Sequence, residues 1–380
     1  MSPGQPGWHA GVAAVRERAA GSGLPVVDLS VGAPVDPTPE VVRRALAEHA
    51  DAPGYPLTIG VPGLREAYVS WLATTHGVRG LVPEQTLPTV GSKELIGTLP
   101  LLLLGSDPTV RPGPVAIPAL AYPTYAVGAR LAGRDVVTVD GLDDLRALPV
   151  APALLWLNSP ANPTGRVQSP AELAAIVAHA RERGTIVVSD ECYLDLGWEV
   201  EAATVLHDDV SGGSTTGLIA VHSLSKRSNL AGYRCGFVAG DHALVAGLTA
   251  VRRDLGLIMP GPQQAASIAA LGDEIHVVEQ RARYGARRDV LRAALVAGGF
   301  RVDHSEAGLY LWATRGEPSG VTTGWLADRG VVSVDGRSYG PTGEQHVRLA
   351  ITATDDDVAT AAERITATGP PTTGPERIGA

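Results

Sequence analysis

Cysteine is almost absent from this chain. Only Cys192 and Cys235 occur among 380 residues, neither in a CxxC pair nor beside histidine, so no disulfide framework or zinc site is written into the sequence. That usage fits a reducing cytoplasm. Lysine is nearly as rare: of 31 basic residues only Lys93 and Lys226 are lysine, and asparagine is limited to Asn158, Asn162 and Asn229. Against such a bias towards Arg, Ala, Gly and Pro, a retained lysine or asparagine points to chemistry. There is no Lys/Arg block and the net charge is −9, which argues against a sequence-independent grip on nucleic acid or anionic lipid while leaving small anionic ligands open. The most apolar stretch, residues 95–104, is broken by Pro100 and is far shorter than the roughly 20 residues of a membrane span. The N-terminal segment has no uninterrupted apolar run, so neither a membrane crossing nor a secretion signal is expected. The ten histidines form no HxH or HExxH pair, and His222 and His346, on predicted strands, read as core or rim residues. No GxGxxG follows a strand and no GxxxxGKS occurs, which disfavours dinucleotide and P-loop sites.

What is present is an α/β pattern. Hydrophobic residues make up 44% and charged residues 19%, enough for a large domain and a smaller one. Apolar runs at 153–157, 185–189, 218–222 and 233–239 read as buried strands. Ser169, Pro170 and Glu172 supply an N-cap, a first-turn proline and a capping-box acid for a helix through Arg183, which Gly184 stops. The later chain predicts one long helix over 263–297, strands at 309–313, 331–334 and 347–351, and a helix over 355–366. The expected division is a large domain at 40–270, a small α+β domain from 1–39 and 271–366, and a disordered Pro/Gly-rich tail at 367–380.

In open α/β sheets ligands sit beyond the carboxyl ends of strands, and three polar segments lie at such ends: 158–162, 190–193 and 223–226. Lys226, in SLSKRSNLAGYR, is an amine nucleophile flanked by Ser223 and Ser225 and followed eight residues later by Arg234, a guanidinium suited to phosphate. Asp190 ends a buried strand, where a carboxylate needs a cation; a pyridinium nitrogen would serve, and so would a helix cap or a nearby arginine. Tyr193 and Asn162 can hydrogen-bond a phenolate oxygen. Ser92 and Lys93 open a helical stretch after a glycine turn, a geometry that favours phosphate. Tyr122 is a stacking platform for a flat ring or a core aromatic. Arg348 on a late strand is a fork for a substrate carboxylate or an interdomain ion pair.

Order and spacing identify the set: 28 positions from Asn162 to Asp190, 36 from Asp190 to Lys226 and eight to Arg234. Together with LSVGAPVDPTP, NSPANPTG, SDECY and HVRLAITAT, they resemble the fold-type I, class I/II aminotransferases over nearly the whole chain. The resemblance implies a large domain with a mainly parallel seven-stranded sheet, a smaller α+β domain, and pyridoxal 5′-phosphate (PLP) as cofactor. Lys226 would then hold the cofactor covalently and carry the proton, and Asp190 would keep the ring nitrogen protonated. Tyr193 and Asn162 would hold the ring oxygen, with Tyr122 stacked on the ring. Ser92, Lys93, Ser223, Ser225 and Arg234 would bind the phosphate. Tyr55 would reach it from the second subunit of a homodimer, and Arg348, Asn162 and the backbone of Gly32 would bind the substrate carboxylate. Within the family, PALAYPTYAVGARLAG, VSDECYLDLGW and GLYLWATRGEP are similar to the succinyldiaminopimelate aminotransferases of lysine biosynthesis. Other readings are a transaminase for aspartate or aromatic amino acids, a C–S β-lyase, or a PLP-binding regulator without turnover. The chain departs from the family pattern where Arg227 and Asn229 follow the lysine in place of smaller residues, and where Cys235 follows Arg234.

Overall fold

The computed structural model describes residues 8–107, 109 and 111–367; from residue 368 onward the Pro/Gly-rich tail lies outside them. A seven-stranded sheet runs in the order Thr86–Val90, Cys235–Gly240, Leu218–Ser223, Ile186–Asp190, Leu154–Asn158, Val115–Ile117 and Val136–Thr138. All pairings are parallel except the two made by Cys235–Gly240. Alternate side chains feed opposite faces: Leu155 and Leu157 join one apolar cluster, Leu154 and Trp156 another. Burial on both faces explains why these strands read as continuous apolar runs.

The expected strands at 153–157, 185–189, 218–222 and 233–239 hold to within one or two residues; the last starts at Cys235 because Ala231–Tyr233 is a 3-10 turn. The helix Pro170–Glu182 carries the expected capping box: Ser169 Oγ accepts from the Glu172 amide at 3.2 Å and Glu172 Oε2 accepts from the Ser169 amide at 2.8 Å. Two expectations fail. The long helix is two, Gly261–Leu271 and Ile275–Ala297, because Gly272 ends the first and the Asp273 carboxylate accepts from the Ile275 amide to start the second. The predicted strand 331–334 is shared between two sheets: Val331–Val332 pairs in parallel with Val27–Asp28, while Val334–Asp335 joins a four-stranded antiparallel sheet with Val347–Ala350, Tyr310–Thr314 and Arg301–Asp303. Among the described residues no helix is long and apolar enough to cross a membrane.

Arg287, on the second of those helices, clamps the segment before the large sheet to the last helix. Its Nη1 and Nη2 each donate to Asp36 at 2.7 Å and its Nε donates to Asp355 at 2.6 Å, which raises the guanidinium pKa above its usual value despite burial. Arg287→Ala leaves the largely buried Asp36 hydrogen-bonded to Gln280 alone among the described residues, and is expected to cost about 1–3 kcal/mol. A denaturant midpoint unchanged in Arg287→Ala at constant m-value would contradict this clamp.

Candidate active site

Every candidate residue except Tyr55 lines one cavity of about 760 Å³. The cavity lies where Leu154–Asn158, Ile186–Asp190 and Leu218–Ser223 end, because parallel strands deliver their carboxyl ends to the same edge. Tyr55 is fully exposed and lies outside it.

Asp190 is the buried acid of the site. Its Oδ2 accepts from the Tyr125 hydroxyl at 2.7 Å and its Oδ1 from the Cys192 amide at 3.2 Å, and no cation pairs with it among the described residues. Burial therefore raises its pKa, only partly opposed by those hydrogen bonds. The same burial, with the neighbouring Asp190 charge, pushes the Tyr125 hydroxyl and the Cys192 thiol well above their ordinary ranges. Asn158 braces this edge: its amide donates to the Asp190 carbonyl at 2.9 Å, and its Oδ1 accepts from the Asn162 amide at 2.8 Å.

Lys226 follows the strand Leu218–Ser223 in a short helical turn, Leu224–Arg227, capped by Ser223 Oγ on the Ser225 amide at 3.2 Å. Its Nζ donates to the Gly32 carbonyl. A Cβ at Gly32 would stand 2.2 Å from the Tyr310 hydroxyl oxygen, so only glycine lets this segment into the cavity. Arg234, in the left-handed region at φ 59°, reaches the turn before the helix Ser92–Leu104. A Cβ on Gly91 would lie 2.2 Å from its Nη2, so Gly91 is required for that approach. Lys93 sits 5.9 Å from the Tyr122 ring centroid, and Tyr122 meets Tyr125 edge-on.

Arg348 is buried and lines the same cavity. It donates to Asn162 Oδ1 at 2.8 Å and to the Ser30 carbonyl at 2.6 Å, stacks 3.8 Å from the Tyr310 ring centroid, and leaves its Nε without a partner. It has no carboxylate among the described residues, so the interdomain ion pair is not formed. Tyr193 and Tyr310 face each other at 3.2 Å. Burial keeps the Tyr193 proton on; it opposes ionisation of Tyr310 too, but the Arg348 and Lys226 charges bring that hydroxyl below its ordinary value. Sequence reasoning missed Tyr125, Tyr310 and Gly91. Tyr125 stands three residues from Tyr122, and nothing in the sequence separates a ring that faces the cavity from one that holds Asp190. The unusual residues after the lysine have structural work: Arg227 donates to Asp195 at 2.9 Å and Glu274 at 2.7 Å, and Asn229, at φ 54°, bonds Gln280 and Tyr284.

The Aminotransferase class I and II family model matches residues 25–365. The chain belongs to the class I and II aminotransferases. It is 54% identical over 342 residues to "Probable aminotransferase Rv1178" of Mycobacterium tuberculosis, covering 90% of this chain and 80% of that protein. It is 52% identical over 351 residues to the 4-dedimethylamino-4-oxo-anhydrotetracycline transaminase OxyQ of Streptomyces rimosus, covering 92% and 96%. An LL-diaminopimelate aminotransferase of Dehalococcoides mccartyi is 32% identical over 355 residues, 88% of this chain and 89% of that protein. Among solved structures, an aminotransferase of Neisseria meningitidis superposes with a TM-score of 0.84 at 28% identity, covering 95% and 97%. Family and fold make this aminotransferase a PLP-dependent transaminase working on an amino acid and a 2-oxo acid. The residues present fit that cofactor: a lone buried carboxylate awaits a cation, and a guanidinium is pressed onto a glycine turn at a helix N-terminus. Among the described residues no His, Cys, Asp and Glu cluster could hold a metal.

Behind the site, Glu191 and His222 are both 2% exposed, with Glu191 Oε2 and His222 Nε2 3.7 Å apart. Burial raises the Glu191 pKa to about 7 and lowers that of His222 to about 3. The Glu191 contribution is fully present below about 4.5 and disappears as pH rises through 7; that of His222 is present above 6.5 and disappears as pH falls towards 3. Between 4.5 and 6.5 the two oppose each other, and above 6.5 only Glu191 acts. Glu191→Gln should therefore gain stability relative to the parent between pH 4.5 and 8, by an amount bounded by the full shift of about 3 kcal/mol. Parallel stability curves for the two proteins over that window would refute the assignment.

Proposed function

We propose that the enzyme transfers an amino group between N-succinyl-LL-2,6-diaminopimelate and 2-oxoglutarate, giving the 6-oxo product and glutamate. One observation carries the reading: a single cavity holds Lys226, Asp190 and Arg348 together, and its lining has five cations (Arg16, Lys93, Lys226, Arg234, Arg348) against one carboxylate, Asp190. Such a cavity suits a phosphorylated cofactor and a substrate bearing more than one negative group. The similarity to LL-diaminopimelate aminotransferases supports a diaminopimelate skeleton.

When bound, PLP supplies a reactive aldehyde and a ring that takes up electron density from the carbon losing its proton. Lys226 would carry the covalent link and, once displaced by the incoming amine, move the proton at the substrate α-carbon. Asp190 would hold a proton at the ring nitrogen; the burial that raises its pKa is offset once a cation stands against it. Arg348 occupies the Asn162 carbonyl oxygen and so leaves the amide Nδ2 as a donor for the ring oxygen beside Tyr193. Arg234, Ser223, Ser225 and the amides of Ser92 and Lys93 would take the phosphate, and Tyr122 would lie on the ring. Arg348 and Gly32 would take the α-carboxylate. The exposed Tyr55 would complete the phosphate site of a partner subunit, making the homodimer the working unit.

The likeness to OxyQ favours a second reading, in which the amine is delivered to a ketone on a larger ring system. Purified protein should be yellow, with an absorbance band that borohydride abolishes. Lys226→Ala should lose that band and at least about 10³-fold of turnover. Full activity in Lys226→Ala would end the mechanism. A half-reaction panel of N-succinyldiaminopimelate, aspartate, phenylalanine and cystathionine ranks the donors. A higher kcat/KM for any of the other three would end the substrate assignment.

A further inference from the structure

Arg16 lines the cavity yet has no part in the cofactor or α-carboxylate contacts proposed above. Arg16 lies on the first helix, Trp8–Ala20, one turn after Val12, and both side chains line the cavity together with Val31 and Val127. Its Nε donates to Asp28 Oδ2 at 3.0 Å, and its Nη2 donates to the same oxygen. The other Asp28 oxygen accepts from the Ser30 amide at 2.9 Å and from the Ser30 hydroxyl. Asp28 is thus pinned by Ser30 and in turn orients the guanidinium, leaving both N–H groups of Nη1 without a partner among the described residues. The Ser30 carbonyl also receives Arg348 Nη2, so one short segment braces both arginines.

The cavity lining thus combines a buried cation, Arg348, with three valines and a half-exposed cation, Arg16, at 49%. We infer that Arg16 reads the distal carboxylate of the substrate, while Val12, Val31 and Val127 pack on its methylene stem. This deepens the transaminase reading above and rests on it. An exposed ion pair such as Arg16–Asp28 adds little to stability. Its preorganised fork, by contrast, gains a charge-assisted contact when a second carboxylate arrives.

The test uses the holoenzyme and paired donors of equal length, L-2-aminoadipate and L-norleucine, followed by half-reaction spectroscopy. Wild type should prefer the diacid, and Arg16→Ala should lower that preference about tenfold or more, the size of one lost charge-assisted hydrogen bond. Arg16→Lys should recover part of it. Calorimetry with glutarate and valerate, which cannot react, should show the same loss in glutarate binding. A wild type without the preference, or a change below tenfold in Arg16→Ala, overturns the inference. If Arg16→Ala does not fold, Arg16→Gln carries the same expectation. If wild type reacts with no amino donor, the transaminase reading falls, and glutarate binding alone then decides whether Arg16 holds a carboxylate.

Discussion

The Asp190 carboxylate, ionisable and buried without a cation, is the constraint around which the site is arranged. A buried charge costs several kcal/mol unless something meets it, and the protein meets it only halfway, with the Tyr125 hydroxyl and the Cys192 amide. The remaining demand favours a cationic group arriving beside Asp190. The parallel sheet sets the place: Asn158 pairs in register with Asp190 and Asp190 with Val221, so the chain reversals that carry Asn162, Tyr193 and Lys226 emerge side by side.

The segment from Asp28 to Gly32 gathers cavity-lining side chains as the strand ends do. It enters from the smaller sheet, where Val27–Asp28 pairs with Val331–Val332, and it ends at Gly32, whose carbonyl faces Lys226. Arg16, Arg348 and Lys226 come from distant parts of the chain, yet each hydrogen-bonds to this one segment. A change in its path would therefore reach all three cations together. Gly32 and Gly91 mark the two places where a backbone and a functional side chain approach too closely for any Cβ.

Charge is partitioned inside the molecule against its overall sign. The chain carries −9, whereas the cavity lining is five cations to one acid. Elsewhere arginines are spent on structure: Arg227 on Asp195 and Glu274, Arg287 on Asp36 and Asp355, Arg252 on Glu94. Arg348 stands apart because it is buried with neutral partners only, and an unmatched guanidinium in such surroundings favours an arriving carboxylate.

By itself the sequence determined the strand and helix alternation, the capping box at Ser169 and the set from Asn162 to Arg234, because these depend on local pattern and fixed spacing along one run of chain. The scarcity of lysine and asparagine narrows the candidates to two lysines and three asparagines, and their place after predicted strands picks out Lys226 and Asn162. Only the tertiary structure decided that Tyr125 rather than Tyr122 holds Asp190, that Arg348 meets no carboxylate among the described residues, and that one predicted strand divides between two sheets. It alone brought Arg16 to the cavity, since no periodicity along the chain links residue 16 to Lys226 or Arg348. Local patterns encode which element forms, while the partners of a buried charge are set by packing between elements that lie far apart in the sequence.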